Sequence, residues 1–449
     1  MPSSREQSLT RRRYGERAVL GIGLYLLLAL APLILMLLAP LPPGRSFLRE
    51  LSVALGFAGA SVLGLQLAIS ARLRRLKAPY GIDAVYHFHR RISYLALALV
   101  LAHPTLLFIE SPATLALLNV VTAPWRARLA VGSVLLLLAL IGSSLRRKRI
   151  GLSYEAWRGL HDLLAVAVLV LAVGHMEGIG HYINAPWKRV LWIAYPVMWL
   201  GFLGYVRLAK PVLKLRRPYR ITQVRREAPR VWTLGFHPEG HPGIKFLPGQ
   251  FAWVTLRRSP FSFEEHPFSF SSSAEAGDGG FEMTVKELGD FTSTIGTVKP
   301  GETAYLDGPY GAFTTDRYPA GGYVFIAGGI GITPIMSLIR TAADRKDDSR
   351  MRLLYAASTV ENLVFSDEID TLTGGLSLRV TYILERPPEG WKGERGFMTR
   401  ELLERNVEEM HDADFFICGP PPMMTAVEKA LSELRVRPDR IHYERFDLV

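Results

Sequence analysis

HRRISYLALALVLAH (residues 89–103) and HDLLAVAVLVLAVGH (residues 161–175) are two apolar stretches that each begin and end on histidine. In both, 14 residues separate the two imidazoles. A helix rises about 1.5 Å per residue, so each pair spans about 21 Å of axis. Fourteen steps of about 100° fall roughly 40° short of four turns, which leaves both histidines of a pair on nearly one face. Two such helices side by side present two histidine–histidine levels. Imidazole is a strong iron ligand, and two axial histidines at one level can hold a haem. The spacing predicts two stacked b-type haems, one held by His89 and His161, the other by His103 and His175. A lone intramembrane histidine would more often hydrogen-bond a neighbouring helix; the matched pairs outweigh that reading. His87 is expected at the membrane interface, and His181, past its span, is expected to be solvated. Arg90 and Arg91 are expected either to meet porphyrin propionates or to snorkel at the inner edge.

The 449 residues allow about three domains at roughly 150 residues each. Apolar residues crowd the N-terminal half. Six spans are expected there, at 18–39, 50–71, 84–110, 128–145, 158–177 and 189–209, each close to the ~20 residues that cross a bilayer. They make a helical membrane domain over 18–210. Residues 1–17 are basic and are expected to form an unstructured cytoplasmic tail. The first apolar run is too long for a cleavable signal and lacks a small-residue cleavage pattern.

The net charge is +12. Its basic residues cluster beside the spans, as topology signals do, and this argues against a nucleic-acid partner. Arg11–Arg13, then Arg72, Arg74, Arg75 and Lys77, then Arg146, Arg147, Lys148 and Arg149, then Lys210, Lys214, Arg216 and Arg217 occupy alternate loops. The positive-inside rule places these loops and both termini in the cytoplasm of a multi-pass cell-membrane protein. His89 and His161 then lie toward the inner face, and His103 and His175 toward the outer. Cys418 is the single cysteine, which excludes an internal disulfide and argues against a cysteine-ligated metal.

From 218 to 320, short β-rich runs (VWTLGF, FAWVTL, FEMTVK, TAYLDG) alternate with turns, and an antiparallel β-barrel is expected. From 321 to 449, strands alternate with helices, the pattern of a doubly wound α/β domain. HPFSFSSS (266–273) follows a strand; its aromatic is suited to packing on a flat ring and Ser269 to bonding a flavin edge. On composition alone it is a turn and a strand. KELGDFTSTI (286–295) brings Lys286, Gly289 and Thr292 to an expected short helix, where free N–H groups attract phosphate. AGGIGITP (327–334) follows an apolar strand and opens a helix, so its glycines let the backbone approach a pyrophosphate. CGPPPM (418–423) ends a later strand and is expected to face the same crevice.

Together these motifs resemble the ferredoxin–NADP reductase module. HPFS stands where that superfamily has Arg-x-aromatic-Ser, and with six bis-haem spans in front the chain resembles the NADPH oxidases and ferric reductases. The resemblance implies that His266, Pro267, Phe268 and Ser269 contact FAD, with Gly289 and Thr292 near its pyrophosphate. It implies that Gly328, Gly329, Gly331, Thr333 and Pro334 cradle NADPH, with Cys418, Gly419 and Pro420 near the nicotinamide. Phe446 matches the family's flavin-shielding aromatic. Ser358 and Arg386 match positions that hold the 2′-phosphate of NADPH, although Thr359 stands where a basic residue is common, which leaves NADH possible. The expected activity is transmembrane electron transfer to a small acceptor, dioxygen to give superoxide or alternatively a ferric chelate, with no obligate protein partner. A soluble reductase merely anchored by its spans, or a haem subunit serving a partner through quinone, are the other readings.

Overall fold

In the computed structural model, residues 4–38, 42–71, 82–407, 409–410 and 412–446 are described, the side chains of 4–14, 82 and 83 excepted. The cluster Arg72, Arg74, Arg75 and Lys77 lies outside the described residues. The chain divides into two compact units, one built from the helices between residues 17 and 211, the other from residue 212 onward.

The helical unit holds α1 (Ser4–Met36), α2 (Phe47–Ser70), α3 (Ile82–Glu110), α4 (Trp125–Arg146), α5 (Tyr154–Ile179) and α6 (Pro186–Gly204). The last runs through a π turn at Tyr205–Ala209 into α7 (Lys210–Leu215). Among the described residues six stretches are long and apolar enough to cross a membrane, Gly15–Met36, Phe47–Ser70, Ala84–Glu110, Trp125–Arg146, Tyr154–Ile179 and Pro186–Leu215. These match the six expected spans to within a few residues at nearly every end. The tail expected to be unstructured is instead helical from Ser4. Its Arg, Glu, Gln and Leu residues are good helix formers, and it continues the first span without a break.

Local chemistry sets the ends. Ser46 and Ser153 cap α2 and α5 by accepting from Arg49 N and Ala156 N. Gly180, at φ +65°, ends α5 in the left-handed conformation that glycine tolerates. Several polar groups inside the unit are paired, as a low-dielectric setting favours. Ser61 Oγ donates to Ala29 O at 2.8 Å and Tyr195 Oη to Leu28 O at 2.7 Å, tying α1 to α2 and α6. Arg207 Nε donates to Asp162 Oδ2 at 2.7 Å.

The second unit contains two sheets. Strands β1 (Tyr219–Ala228), β2 (Val231–Pro238), β3 (Phe251–Leu256), β4 (His266–Ser269), β5 (Phe281–Lys286) and β6 (Thr303–Tyr310) form one antiparallel sheet in the order β4-β3-β6-β1-β2-β5. The expected barrel is not closed. Beyond β4 the chain meets β5 at the Phe270–Met283 bridge and at a bond from Ser271 N to Glu282 O, 2.8 Å, supported by side-chain bonds of Ser271 and Ser272. With four residues, β4 is too short to ladder along β5.

Strands β7 (Gly322–Gly328), β8 (Arg350–Ala357), β9 (Leu378–Leu384), β10 (Glu394–Arg395), β11 (Asp414–Cys418) and β12 (Ile441–Glu444) form the parallel sheet β10-β9-β8-β7-β11-β12. The chain steps outward from β7 to β10 and then returns to the other side of β7 as β11. The switch point, where doubly wound sheets bind ligands, therefore lies between the carboxyl ends of β7 and β11. Helix α8 (Ile332–Asp344) follows β7. Two further helices of this domain, α9 (Ser366–Leu372) and α10 (Arg400–Val407), precede α11 (Pro421–Glu433), which follows β11.

The two sheets are joined by polar bonds. Ser337 Oγ, on α8, donates to Ser272 O at 2.8 Å, and Ala274 N donates to Thr341 Oγ1 at 2.9 Å. Arg340 donates to Ser271 O at 2.8 Å and bridges Glu368 at 2.6 Å and Glu282 at 3.3 Å. Because this guanidinium is only 14% exposed, its loss strands two carboxylates and a carbonyl.

Arg340→Met is expected to lower the stability of this unit by about 2–4 kcal/mol, read as an earlier unfolding midpoint in denaturant. Gly331→Ala is expected to lower the thermal midpoint by about 4–8 °C, for a cost of about 2 kcal/mol. A methyl at Gly331 would lie 2.1 Å from the backbone oxygen of Cys418, which has no freedom to yield.

Candidate functional site

Helices α3 and α5 bring the four histidines together in pairs. The ring centroids of His89 and His161 are 6.4 Å apart, and those of His103 and His175 are also 6.4 Å apart. Two imidazoles on opposite sides of one metal, with bonds of about 2.0–2.1 Å and a ring radius of about 1.1 Å, put their centroids roughly 6.3 Å apart. Both levels therefore have the separation that a shared iron requires, and the residues fit two bis-histidine haems.

Which nitrogen faces inward follows from the partners of the other. His103 Nδ1 donates to Ser52 O at 2.9 Å, and His175 Nδ1 donates to Arg126 O at 2.9 Å. A carbonyl only accepts, so both Nδ1 atoms carry the proton and both Nε2 atoms keep a lone pair for a metal. Ser52 Oγ in turn donates to His103 O at 2.7 Å. At the other level, Ser144 Oγ lies 3.3 Å from His161 Nδ1, and the Trp157 ring packs beside His161. Ser52, Ser144 and the Arg126 carbonyl carried no signal in the sequence, since helix–helix register brings them to the histidines. His87, Arg90 and Arg91 are exposed, as an interfacial edge requires. His181, expected to be solvated, is half-buried, with Nε2 covered and its ring set edge-on to Tyr182 at 4.7 Å.

In the antiparallel sheet, HPFS is strand β4 itself, paired with β3 through Val254–His266 and Phe251–Ser269. The rings of His266 and Phe291 stack at 3.9 Å, and Phe268 lies parallel to Phe291 at 6.1 Å. Phe291 was not singled out from the sequence, because its neighbours in KELGDFTSTI were read for their backbone. Ser269 is 4% exposed, and its Oγ has no partner within the protein. A buried hydroxyl left unbonded costs about 1–3 kcal/mol, so it fits a ligand that supplies the partner. Those residues fit a flavin.

The Lys286–Thr292 segment departs from expectation. Thr292 Oγ1 accepts from Leu288 N at 2.8 Å and Gly289 N at 2.9 Å, closing the loop on itself. The following helix is a six-residue 3₁₀ turn, Thr292–Thr297. Two of the N–H groups expected to be free for phosphate are thus occupied by the threonine hydroxyl. Lys286 ends β5 and is half-buried.

The glycine motifs of the parallel sheet do converge. A side chain on Gly328 would strike Met423 Sδ at 2.5 Å, and one on Gly419 would strike Met423 Cε at 2.5 Å. With Gly331 against Cys418 O, the turns after β7 and β11 approach backbone to backbone, and only glycine permits it. Thr333 and Pro334 form the first turn of α8, and Pro420 caps α11. Cys418 closes β11 with no exposed surface, so it forms the floor of the crevice rather than its lining. Arg386 N donates to Ser358 O at 3.0 Å, which sets Arg386 and Ser358 side by side at the carboxyl ends of β9 and β8. Phe446 is 43% exposed and is no core residue. It follows Glu444, which pairs with Cys418, so it stands at the same end of the sheet.

Three family models match. Residues 55–172 match a ferric reductase like transmembrane component, 237–314 an FAD-binding domain, and 325–429 an oxidoreductase NAD-binding domain. The flavohemoprotein of Bacillus subtilis is 27% identical over 236 residues, 51% of this chain and 59% of that one. NADH-cytochrome b5 reductase 1 of Mycosarcoma maydis is 35% identical over 172 residues, 36% and 52% of the two chains. The chain thus spans a little over half the length of these curated relatives. Among solved structures, the FAD/NAD-binding domain of a Vibrio cholerae nitric oxide dioxygenase aligns with TM-score 0.46 and 25% identity, over 51% of this chain and 98% of that one. Flavohemoglobin from Malassezia yamatoensis aligns with TM-score 0.48 and 15% identity, over 89% and 96%. With the apolar helices, the first family match makes this a multi-pass membrane protein. A ferric reductase-like transmembrane component followed in one chain by FAD-binding and NAD-binding oxidoreductase domains is the architecture of the NADPH oxidase and ferric reductase family, and this chain has it.

Proposed function

We propose that the chain carries electrons across the cell membrane, from cytoplasmic NADPH through FAD and two b-type haems to dioxygen at the outer face, producing superoxide. The observation behind this reading is the pair of equal 6.4 Å histidine spacings, set 14 residues apart on both helices. His89 and His161 hold the inner haem, and His103 and His175 the outer. A flavin held by His266, Pro267, Phe268 and Ser269 would supply the conversion of a hydride into single electrons, and haems held by the two histidine pairs would supply one-electron carriers. The balance is one NADPH and two dioxygen molecules giving NADP⁺, one proton and two superoxide ions.

The chain's own work is placement. The carbonyls of Ser52 and Arg126 hold the outer imidazoles with Nε2 inward. His266, Pro267, Phe268 and Phe291 offer a flat apolar face to the flavin, and Ser269 gives its edge a hydrogen bond. Gly328, Gly329 and Gly331 let the dinucleotide approach the backbone, and Ser358 with Arg386 favours a 2′-phosphate, NADH being the alternative donor. Phe446 would shield a face of the flavin. Basic loops, including Arg146–Arg149, support cytoplasmic termini. The outer connections are short, which favours dioxygen over a bulky chelate. Neither a nucleic acid nor an obligate protein partner is needed.

His103→Ala and His175→Ala are each expected to remove one of two haems per chain and to stop electron export, while NADPH still reduces the flavin. Unchanged haem content in both variants, measured by reduced-minus-oxidised spectra, would refute the assignment. Superoxide dismutase is expected to abolish the aerobic signal of a superoxide probe in NADPH-fed membranes. Anaerobic ferric chelate reduction without superoxide would instead make the protein a metal reductase.

A further inference from the structure

Gln66 lies on α2, 8% exposed, and neither Nε2 nor Oε1 of its amide has a partner within the protein. An amide buried without bonds in an apolar setting is costly, and such a group points to a ligand that is not protein. The position of Gln66 says which ligand.

Ser52 and Gly56 of α2 face His103: Ser52 O accepts from its Nδ1, and a methyl on Gly56 would sit 3.1 Å from the ring. One turn on, a methyl on Gly59 would strike Val100 Cγ2 at 2.7 Å. As α2 numbering rises, the facing α3 numbering falls, so the two helices are antiparallel. Gln66 is 14 residues beyond Ser52, the offset that separates His103 from His89. At about 100° per residue it stays within roughly 40° of Ser52's face and lies about 21 Å further along the axis. Helical rise therefore puts Gln66 on the side of α2 that faces α3, at about the level of His89.

We infer that Gln66 is a positioning residue of the inner level, its amide Nε2 donating to a carboxylate of the tetrapyrrole held by His89 and His161. The inference rests on the haem assignment above. Carboxylates are the polar substituents that a b-type haem offers to an amide donor. A donor to that carboxylate withdraws negative charge from the ring's edge, which favours the reduced metal. Removing the donor lowers the inner midpoint potential and leaves the outer one unmoved.

The test is a potentiometric titration of the purified full chain, followed in the Soret and α bands. The His103→Ala background isolates the inner component. Gln66→Leu is expected to retain the inner haem and to shift its reduction equilibrium about tenfold toward the oxidised form, about 59 mV for one electron. Gln66→Asn, which keeps the amide but withdraws it, is expected to shift the midpoint less and in the same direction. It decides the matter where Gln66→Leu does not fold. An inner midpoint unchanged in the variant that folds, or an outer midpoint that moves equally, overturns the role of Gln66 while the two-haem reading stands. Wild-type protein without two bis-imidazole haems would sink both, and that measurement comes first.

Discussion

A hydrogen bond from an imidazole Nδ1 to a backbone carbonyl is the constraint on which the helical unit turns. In a segment surrounded by hydrocarbon, an imidazole must satisfy both nitrogens or pay for the one it leaves bare. His103 and His175 satisfy Nδ1 with carbonyls of neighbouring helices. That choice fixes the tautomer, orients the ring and leaves Nε2 pointing at its opposite number. A neighbouring helix able to lend a carbonyl must come unusually near, and the small residues at the contact explain how. Gly56 and Gly59 leave room on α2 for His103 and Val100, while Gly174 and Gly178 leave room on α5 for Leu129 and Trp125. Small residues on these helices serve the histidines indirectly, by letting backbones close up.

The second unit solves a different problem with a similar device. Its crevice needs two loops from distant parts of the chain to meet at the ends of β7 and β11. Gly328, Gly331 and Gly419 do this by having no side chain to hold the backbones apart. The antiparallel sheet is fixed against α8 through main-chain partners, with Ser337 reaching Ser272 O and Arg340 reaching Ser271 O. Ser271 and Ser272 continue directly from β4. Strand β4 and the helix that opens on the glycine turn are thus held by adjacent bonds. Hydride transfer needs donor and acceptor rings in van der Waals reach, and side chains on soft loops would not hold that register.

What could be read in the sequence was what local geometry determines. The 14-residue spacing of the histidines is a property of one helix at a time, so the pairing levels follow from helical rise alone. The glycine turn after an apolar strand is equally local. What could not be read depends on how distant segments meet. Thr292 folds back on Leu288 N and Gly289 N, so a loop expected to offer bare amides is already satisfied. Phe291 reaches His266 across the sheet, a contact between residues 25 positions apart that no spacing rule anticipates. Whether the antiparallel strands close depended on the length of β4, and strand ends are the least determined feature of a β pattern. The helical start at Ser4 shows the same limit, because charge alone does not make a tail unstructured when its residues favour helix.

Phe446 shows how an unfavourable exposure argues for a partner. The register of β12 on β11 brings the chain's end to the crevice, with Glu444 opposite Cys418. Two residues later a phenyl ring stands 43% exposed, although burying a Phe fully is worth about 1.5–3 kcal/mol. Phe325, Phe415 and Phe416 are buried in this domain's cores, so the fold does not lack places for such a ring, although Phe397 is exposed as well. On the function proposed above, this ring, at the edge where the two glycine turns converge, would be covered by the flavin. The stack of His266 and Phe291 makes the matching argument on the antiparallel sheet. On that same reading each ring would recover its hydration cost against one face of an isoalloxazine.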